Sequence, residues 1–250
     1  MTHRPWPTPA TPWVMRMTWR ELLFAHWSLG PADTARVRAM LPAGLELDLF
    51  EGRCYIGAVP FLMEHVTPRL VPPVPLLHKF PELNLRTYVT ATGKPGVWFF
   101  SLDAGQKLAV RVARRFFHLP YFDANFEVDL RNGVSYRAVR THHGAAPAVF
   151  DAGYRPLSDV YWSAGGSLES WLTDRYCLYS ADGAGAIFRG EIDHAPWPLQ
   201  RAEAEIRVNT LGDWLGIPMP GEPETLHFAK SLDVHAWLIQ PVSSHDPQAC

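Results

Sequence analysis

The chain has 250 residues, 47% of them hydrophobic, and its 23 basic and 25 acidic side chains give a formal net charge of −2. This length allows one large β-rich domain or two small ones, each with a hydrophobic core. Because there is no basic surplus, the charge balance argues against nucleic acid as a partner.

The first predicted elements are an extended arm and a short helix. Residues 1–16 are rich in proline and are predicted to form the arm. Residues 31–42 have helical character, with Asp33 or Thr34 as the N-terminal cap and Pro42 after the end.

Strands dominate the next part of the chain. The proline-rich segment 66–83 is predicted to be a loop over the surface or over the mouth of a cavity. Runs of alternating polar and apolar residues on both sides of it are bounded by turn signals, and the last two runs form a predicted hairpin. The predicted strands are residues 45–50, 53–63, 83–92 and 96–104.

The clearest predicted helix is segment 104–117, whose periodicity places Leu108, Val112 and Phe116 on one side. Segment 201–216 is compatible with a strand, a helix or both. The remaining predictions are strands at 124–131, 134–141, 175–180, 185–193 and 232–242 and a short helix at 167–175.

These elements predict an α+β fold that is mainly β. Ten tryptophans, thirteen phenylalanines and eight tyrosines favour a sandwich, barrel or cone with a ring-lined interior, although a solid aromatic core would give the same count. With no repeat and no low-complexity linker, we expect a single domain at 17–242 and a flexible tail at 243–250.

Cysteine usage and the N-terminal composition indicate a reducing compartment. Cys54, Cys177 and Cys250 are far apart and odd in number, which argues against a disulfide framework. No segment resembles a signal-peptide core or reaches a membrane-spanning length. We therefore expect a cytoplasmic protein that does not enter a membrane.

No sequence motif for a nucleotide cofactor, a metal or a serine nucleophile is present. The chain lacks a Walker loop, GxGxxG, HExxH, CxxC and GxSxG. His142 and His143 are adjacent, and adjacent strand residues point to opposite faces, so they do not predict a metal site. We expect no cofactor and no metal.

One predicted strand carries an unusual row of polar side chains. Alternation places Leu83, Leu85, Thr87 and Val89 on one face. The opposite face is formed by Glu82, Asn84, Arg86 and Tyr88. A row facing water needs no explanation, whereas a row facing a cavity is a binding site.

Seven segments, in order, resemble the signature segments of the YqjF-like family (DUF2071), a branch of the acetoacetate decarboxylase-like superfamily. The resemblance covers about residues 17–240 and implies a β-cone around a polar cavity, with no established activity. The segments are "LLFAHW", "PFLM", "FPELNLRTYV", "GVWFFSLDA", "ARRFFHLPYFDA", "SLESWLTDRYCLY" and "HAPWPLQ".

The resemblance also implies which groups are kept and which are missing. It places the polar row inside the cone, with Glu82 or Asn84 at the position of the decarboxylase glutamate. Aligned by its proline, "FFHLPYFDA" has Tyr121 and Phe122 at the two lysine positions, and neither can form a Schiff base. Of the four lysines, Lys79, Lys94 and Lys107 are predicted in a loop, a turn and a helix start. Lys230, just before the closing strand, is the one with a plausible position near the cavity, but we do not expect it to act as a Schiff-base lysine.

An interior Arg86 needs an anion, because a buried guanidinium without a partner is costly. Glu82 is four residues away, about 13 Å along a strand, which is a stretched pairing. The anion is therefore a carboxylate from another strand or a bound acid, which the fork of arginine suits. The sequence leaves both open and slightly favours the first.

Two functions remain open at this stage. In one, the cavity binds a small organic acid or carbonyl compound through the polar row and Trp98, with His118 and Tyr121 as candidate catalytic groups near its mouth. The sequence favours a core position over ligand stacking for Trp98, and it fits a hydrogen-bonded structural role for His118 as well as a catalytic one. In the other, the chain is a non-catalytic domain with a buried polar network that binds a protein partner or a second copy.

Overall fold

A computed structural model describes residues 5–70, 78–219 and 221–242. Its helices are α1 (Pro31–Met40), α2 (Lys107–Phe117) and α3 (Leu168–Thr173). Its strands are β1 (Met15–Leu29), β2 (Glu46–Leu47), β3 (Cys54–Pro68), β4 (Lys79–Ala91), β5 (Lys94–Ala104), β6 (Tyr121–Asp129), β7 (Val134–Arg140), β8 (Val149–Pro156), β9 (Cys177–Ala181), β10 (Ile187–His194), β11 (Leu199–Asn209), β12 (Thr225–Ala236) and β13 (Gln240–Pro241).

The sheet closes on itself in two places. The order β5-β6-β7-β8-β11-β12-β1-β3-β4 is closed by the pairing of β4 with β5, which makes a nine-strand barrel. A second closure runs through β9 and β10, because β10 pairs with β12 while β9 pairs with β5. The predicted mainly β cone or barrel is therefore confirmed.

The five strands β12, β1, β3, β4 and β5 form a wall that both closures share. On one side of it the barrel is filled by an apolar cluster that includes Leu83, Leu85, Tyr136 and Phe150. Glu82 alternates with these leucines along β4 and points to the other side, toward β9, β10 and α2. One face of this five-stranded wall therefore borders a solid core, and its other face borders a cavity.

A bulge in β1 sets which of its aromatic side chains reach the cavity. Glu21 has a positive φ of 53°, and the pairing of β1 with β3 shifts register in this region. An extra residue reverses the alternation, so Trp19 and Phe24 lie on the same side although five residues separate them.

The helix at 104–117 is confirmed as α2, but its apolar stripe is not buried. Leu108, Val112 and Phe116 are exposed, and Val110 is the buried residue of this helix. Helical periodicity identified the shared side correctly, but it does not tell whether the core or solvent lies next to that side.

The start of the first helix differs from the prediction. Helix α1 is capped by Gly30 and begins at Pro31, not at Asp33 or Thr34. Proline suits the first helical position because its fixed φ matches the helix and its missing N–H has no helical partner there.

The predicted loop at 66–83 is mostly strand at its two ends. Strand β3 continues to Pro68 and β4 begins at Lys79, while residues 71–77 lie outside the described residues. Pro81 is tolerated within β4 because the pairing with β5 begins one residue later, at Glu82 opposite Ala104.

Differences from the predicted elements also occur in other parts of the chain. Segment 201–216 is both strand and helix, because β11 is followed by a 3-10 turn at Asp213–Leu215. The closing strand begins at Thr225, earlier than predicted. Strands β1 and β8 were absent from the predicted elements, and residues 1–4 of the arm and the tail 243–250 lie outside the described residues.

Candidate functional site

A cavity of about 190 Å³ lies between the shared wall, strands β9 and β10, and helices α2 and α3. Most of its lining is apolar, and its polar side chains come from four elements, β4, β6, α3 and β10, and from the turn after α3. They are Glu82, Asn84, Arg86, Tyr121, Thr173, Arg175, Glu191 and His194. A cavity with a few polar groups in apolar surroundings is the usual form of a small-molecule site.

The polar row of β4 faces this cavity. Glu82, Asn84 and Arg86 all line it, in the alternation that the sequence predicts. Tyr88 is fully buried behind them, where its hydroxyl accepts a hydrogen bond from Nη2 of Arg86 at 3.2 Å. The fourth member of the row therefore holds the third in place.

Glu82 is a carboxyl group in an environment that keeps it uncharged. It is 2% exposed, and burial raises its pKa from 4.5 to about 8, with the Asp103 carboxylate acting in the same direction. The hydroxyl of Tyr121 donates to its Oε2 at 3.0 Å, which partly offsets the effect of burial. Near neutral pH the site therefore holds a carboxylic acid that can donate a hydrogen bond as well as accept one.

Tyr121 is the phenol partner of this acid. Burial and the neighbouring Glu82 raise its pKa well above 10, so the hydroxyl keeps its proton. It begins β6 and lines the cavity beside Glu82, as the resemblance implied for this position. The pair forms one hydrogen-bonding unit, with Tyr121 as the donor.

Arg86 has no acidic partner among the described residues. No carboxylate lies within 4 Å of its guanidinium in this part of the chain, and Glu82 bonds to Tyr121 instead. Its Nε is buried and makes no hydrogen bond with any of the described residues. The guanidinium lies 5.2 Å from the ring centre of Phe24 and 5.6 Å from that of Tyr88, in the range of cation–π contacts.

A buried histidine continues the chain of contacts behind Arg86. Nε2 of His26 and the hydroxyl of Tyr88 share a hydrogen bond of 2.7 Å. Burial lowers the pKa of His26 well below 6.5, and the positive charge of Arg86 acts in the same direction. His26 is therefore neutral. In the group of Arg86, Tyr88 and His26, the one positive charge lies on the guanidinium of Arg86.

Glycine at position 57 makes room for this arrangement. His26 of β1, Gly57 of β3 and Arg86 of β4 lie on one rung of the sheet. A Cβ atom at residue 57 would lie 2.7 Å from the His26 ring. Because glycine has none, the ring lies across β3 and reaches Tyr88.

The sequence analysis did not identify Arg175 and Trp19. Arg175 pairs with Asp48, lies 4.9 Å from the ring centre of Tyr88, and has a buried Nη2 without a hydrogen bond in the described structure. Nε1 of Trp19 is likewise buried without a partner there. Both residues line the cavity. Arg175 lies in the quoted segment "SLESWLTDRYCLY", but no periodicity indicated where it points.

His118 and Trp98 are not at this cavity. His118 ends α2 in a left-handed conformation and packs 4.9 Å from Phe188. Together with Trp98 it lines a second, more open pocket of about 380 Å³. The side chain of Phe99, next to Trp98, lines the cavity instead. His118 was expected near the mouth of the cavity and Trp98 in its lining, but the turn that ends α2 and strand alternation place both at the second pocket. Their roles in catalysis and ligand binding stay predictions.

Lys94 corrects another expectation. It begins β5 and is 2% exposed, not in an open turn, and its Nζ lies 2.6 Å from Oε1 of Glu191, which lines the cavity. An ammonium held in an ion pair is not a nucleophile. Lys79, Lys107 and Lys230 are exposed, and Lys230 is not among the described residues that line the cavity.

Comparisons with known proteins agree with this fold. A family model described as an uncharacterized conserved protein, DUF2071, matches residues 16–233. The uncharacterized protein YqjF of Bacillus subtilis is 46% identical over 228 residues, which cover 91% of this chain and 92% of that protein. The chain belongs to the DUF2071 family.

Solved structures place this DUF2071 chain in the acetoacetate decarboxylase-like fold. The enduracididine biosynthesis enzyme MppR, in complex with pyruvate, is similar with a TM-score of 0.65 at 14% identity, over 98% of this chain and 99% of that one. The acetoacetate decarboxylase of Legionella pneumophila gives 0.60 at 15% identity, over 97% and 94%. At such identities the likeness establishes the fold and not the chemistry.

Two further observations concern metal ligands and membrane-spanning helices. Among the described residues, no group of three or more His, Cys, Asp or Glu side chains is close enough to hold a metal ion. In the same part of the chain, none of the helices is both long and apolar enough to cross a membrane.

Proposed function

We propose that the cavity binds a small organic acid or carbonyl compound. Arg86 is the group that receives the carboxylate, and the Glu82–Tyr121 pair hydrogen-bonds to a neighbouring carbonyl or hydroxyl oxygen. The observation that carries the proposal is the guanidinium of Arg86, which lines the cavity without an acidic partner among the described residues. A buried cation of this kind is stabilised by an anion that enters the site.

The proposed site does not use Schiff-base chemistry. Tyr121 and Phe122 replace the two lysines that the decarboxylase resemblance implies, and Lys94 is ion-paired with Glu191. What remains is a neutral carboxyl, a phenol and a guanidinium, which can bind an acid and polarise a carbonyl through hydrogen bonds. The chain then has a decarboxylase-like fold whose cavity binds its ligand without forming an imine.

A binding assay on matched arginine variants tests this proposal. Thermal unfolding is measured with and without acetate, pyruvate and acetoacetate for the wild type, Arg86→Gln and Arg155→Gln. The control Arg155 is exposed and paired with Glu203 at the surface. We expect acids to raise the Tm of the wild type and of Arg155→Gln, and not that of Arg86→Gln. Because Arg86 has no acidic partner in the described part of the protein, its removal leaves no orphaned carboxylate there.

A chemical test addresses the absence of imine formation. The protein is incubated with acetoacetate and borohydride, and its intact mass is measured. We expect an unchanged mass. A stable adduct on any lysine, together with carbon dioxide release without borohydride, would overturn this part of the proposal. Failure of every acid to bind the wild type would overturn the binding role of Arg86.

A second candidate function rests on helix α2. Leu108, Val112 and Phe116 form an exposed apolar stripe on it, which is compatible with a non-catalytic domain that docks a protein or a second copy. Analytical ultracentrifugation of the wild type and a Phe116→Ser variant separates the two functions, because the docking role requires an assembly that the variant loses.

We also propose a reducing compartment, such as the cytoplasm, as the place of action. Cys54 and Cys177 are buried and unpaired, which fits an environment that keeps thiols reduced.

A further inference from the structure

Four aromatic rings form a continuous wall in the cavity. Trp19 lies 5.8 Å from Phe61 and stacks on Trp197 at 5.9 Å, and Trp197 meets Phe24 edge-on at 4.8 Å. All four residues line the cavity. The guanidinium of Arg86 lies 5.2 Å from the ring centre of Phe24, so the wall ends at the positive charge.

Ring surface that borders a cavity lacks packing partners on that side. Dispersion contacts are lost outright where no atoms lie opposite, so an apolar group that fills the space restores them. Flat rings also prefer other rings in offset or edge-on arrangements. The wall is therefore matched to an aromatic group.

The charges of the lining allow one carboxylate. Glu191 and Arg175 are already paired, with Lys94 and with Asp48 respectively. Arg86 is then the one guanidinium of the described lining that has no acidic partner. A second carboxylate on the same ligand would find no further unpaired cation in the described lining, and burying it there without one is unfavourable.

We infer that the ligand is a monocarboxylate that carries an aromatic ring, with the carboxylate at Arg86 and the ring against the wall of Phe61, Trp19, Trp197 and Phe24. This inference rests on the proposed function and narrows its substrate class. The cavity has room for the ring, because a cavity of roughly 150 Å³ holds a benzene molecule and this one measures about 190 Å³.

The inferred ligand class differs from the pyruvate bound in the similar MppR structure. A three-carbon oxo acid fills the Arg86 end and leaves the aromatic wall uncovered. Adding a phenyl group removes much apolar surface from water, and we expect phenylpyruvate to bind at least about tenfold more tightly than pyruvate.

Isothermal titration of the wild type with four related compounds tests the inference. Pyruvate and phenylpyruvate differ by the ring alone. Phenylacetone keeps the ring and the oxo group and has a methyl group in place of the carboxylate. Phenylsuccinate keeps the ring, carries two carboxylates and lacks the oxo group. We expect phenylpyruvate to bind most tightly and each of the other three at least about tenfold more weakly.

A pair of tryptophan variants locates the ring. Trp19→Leu removes one ring of the wall, whereas Trp13→Leu removes a tryptophan that packs on His235 outside the cavity. We expect Trp19→Leu to reduce the affinity for phenylpyruvate at least about fivefold and to leave that for pyruvate unchanged, and Trp13→Leu to change neither. The ligand series on the wild type decides the matter if Trp19→Leu does not fold.

The outcomes separate this inference from the proposed function. If pyruvate binds as tightly as phenylpyruvate, or if phenylsuccinate binds equally well, the substrate class is wrong while acid binding at Arg86 stands. If none of the acids binds the wild type, the proposed function fails. Loss of pyruvate affinity in Trp19→Leu would also contradict the placement of the ring.

Discussion

Replacing Glu82 by glutamine is predicted to change how stability depends on pH. Glutamine keeps the size of the side chain and an oxygen that accepts the hydrogen bond from Tyr121, but it does not titrate. In the unfolded chain the Glu82 carboxyl releases its proton near its ordinary pKa of 4.5, whereas in the folded protein its pKa is about 8. Between these values the folded state binds one proton more than the unfolded state.

The sign and size of the predicted stability change follow from this difference in bound protons. The free energy of unfolding of the wild type loses about 1.4 kcal/mol per pH unit through this group as the pH rises from 4.5 to about 8. The Glu82→Gln variant lacks this loss. Its stability relative to the wild type should therefore increase by about 3 kcal/mol between pH 4.5 and pH 7, and by about 4 kcal/mol between pH 4.5 and pH 8.

Urea unfolding of both proteins at half-unit steps from pH 5 to pH 8.5 measures this difference. Glu64→Gln is the control, because burial tends to raise the pKa of Glu64 but its contacts with Lys79 and Arg20 lower it overall. A lowered pKa gives stability that is present above the unfolded value and lost in acid, so the control should be less stable than the wild type at neutral pH. Parallel pH profiles for the wild type and Glu82→Gln would refute the assignment of a neutral Glu82.

Two further substitutions test the supports of the site. In the folded protein the Asp103 carboxylate binds both Nε and Nη2 of the buried Arg140, and Asp103→Asn removes that negative charge. The variant should lower the free energy of unfolding in urea by about 3 to 5 kcal/mol. A loss below about 1 kcal/mol would contradict the burial of this pair. Gly57→Ala forces the His26 ring to move and should lower stability by about 1 to 3 kcal/mol and weaken acid binding. Gly183→Ala, where nothing lies within 4 Å, should change neither, and equal behaviour of the two glycine variants would show that position 57 has no special role.

Local patterns predicted most of the secondary structure. The β4–β5 hairpin and helix α2 follow from alternation, turn residues and helical periodicity, which depend on neighbouring residues. The two ends of segment 66–83, which are strands, were wrongly predicted as loop because the prolines of the segment look unsuited to a strand. Pro81 is tolerated because of where the partner strand begins, which is a property of the sheet and not of the segment.

The candidate site was predicted in part. Glu82, Asn84, Arg86 and Tyr121 were identified and all line the cavity. His118 was expected near the mouth of the cavity and lines the second pocket, because the left-handed turn that ends α2 directs its side chain away from that of Tyr121. His26, Trp19 and Arg175 were missed because they approach the row from β1 and from the turn after α3, and nothing in their own segments indicates that meeting.

The sequence by itself determined that Glu82, Asn84 and Arg86 share one face of a strand, since side chains alternate with a period of two whatever surrounds them. Its segments also indicated the family and the missing lysines. Only the tertiary structure decided that this face borders a cavity, that Glu82 is neutral and that no acid partners Arg86 among the described residues. Burial and charge pairing depend on groups far away in sequence, such as Tyr121, which is 39 residues from Glu82, and these are fixed only when the sheet closes.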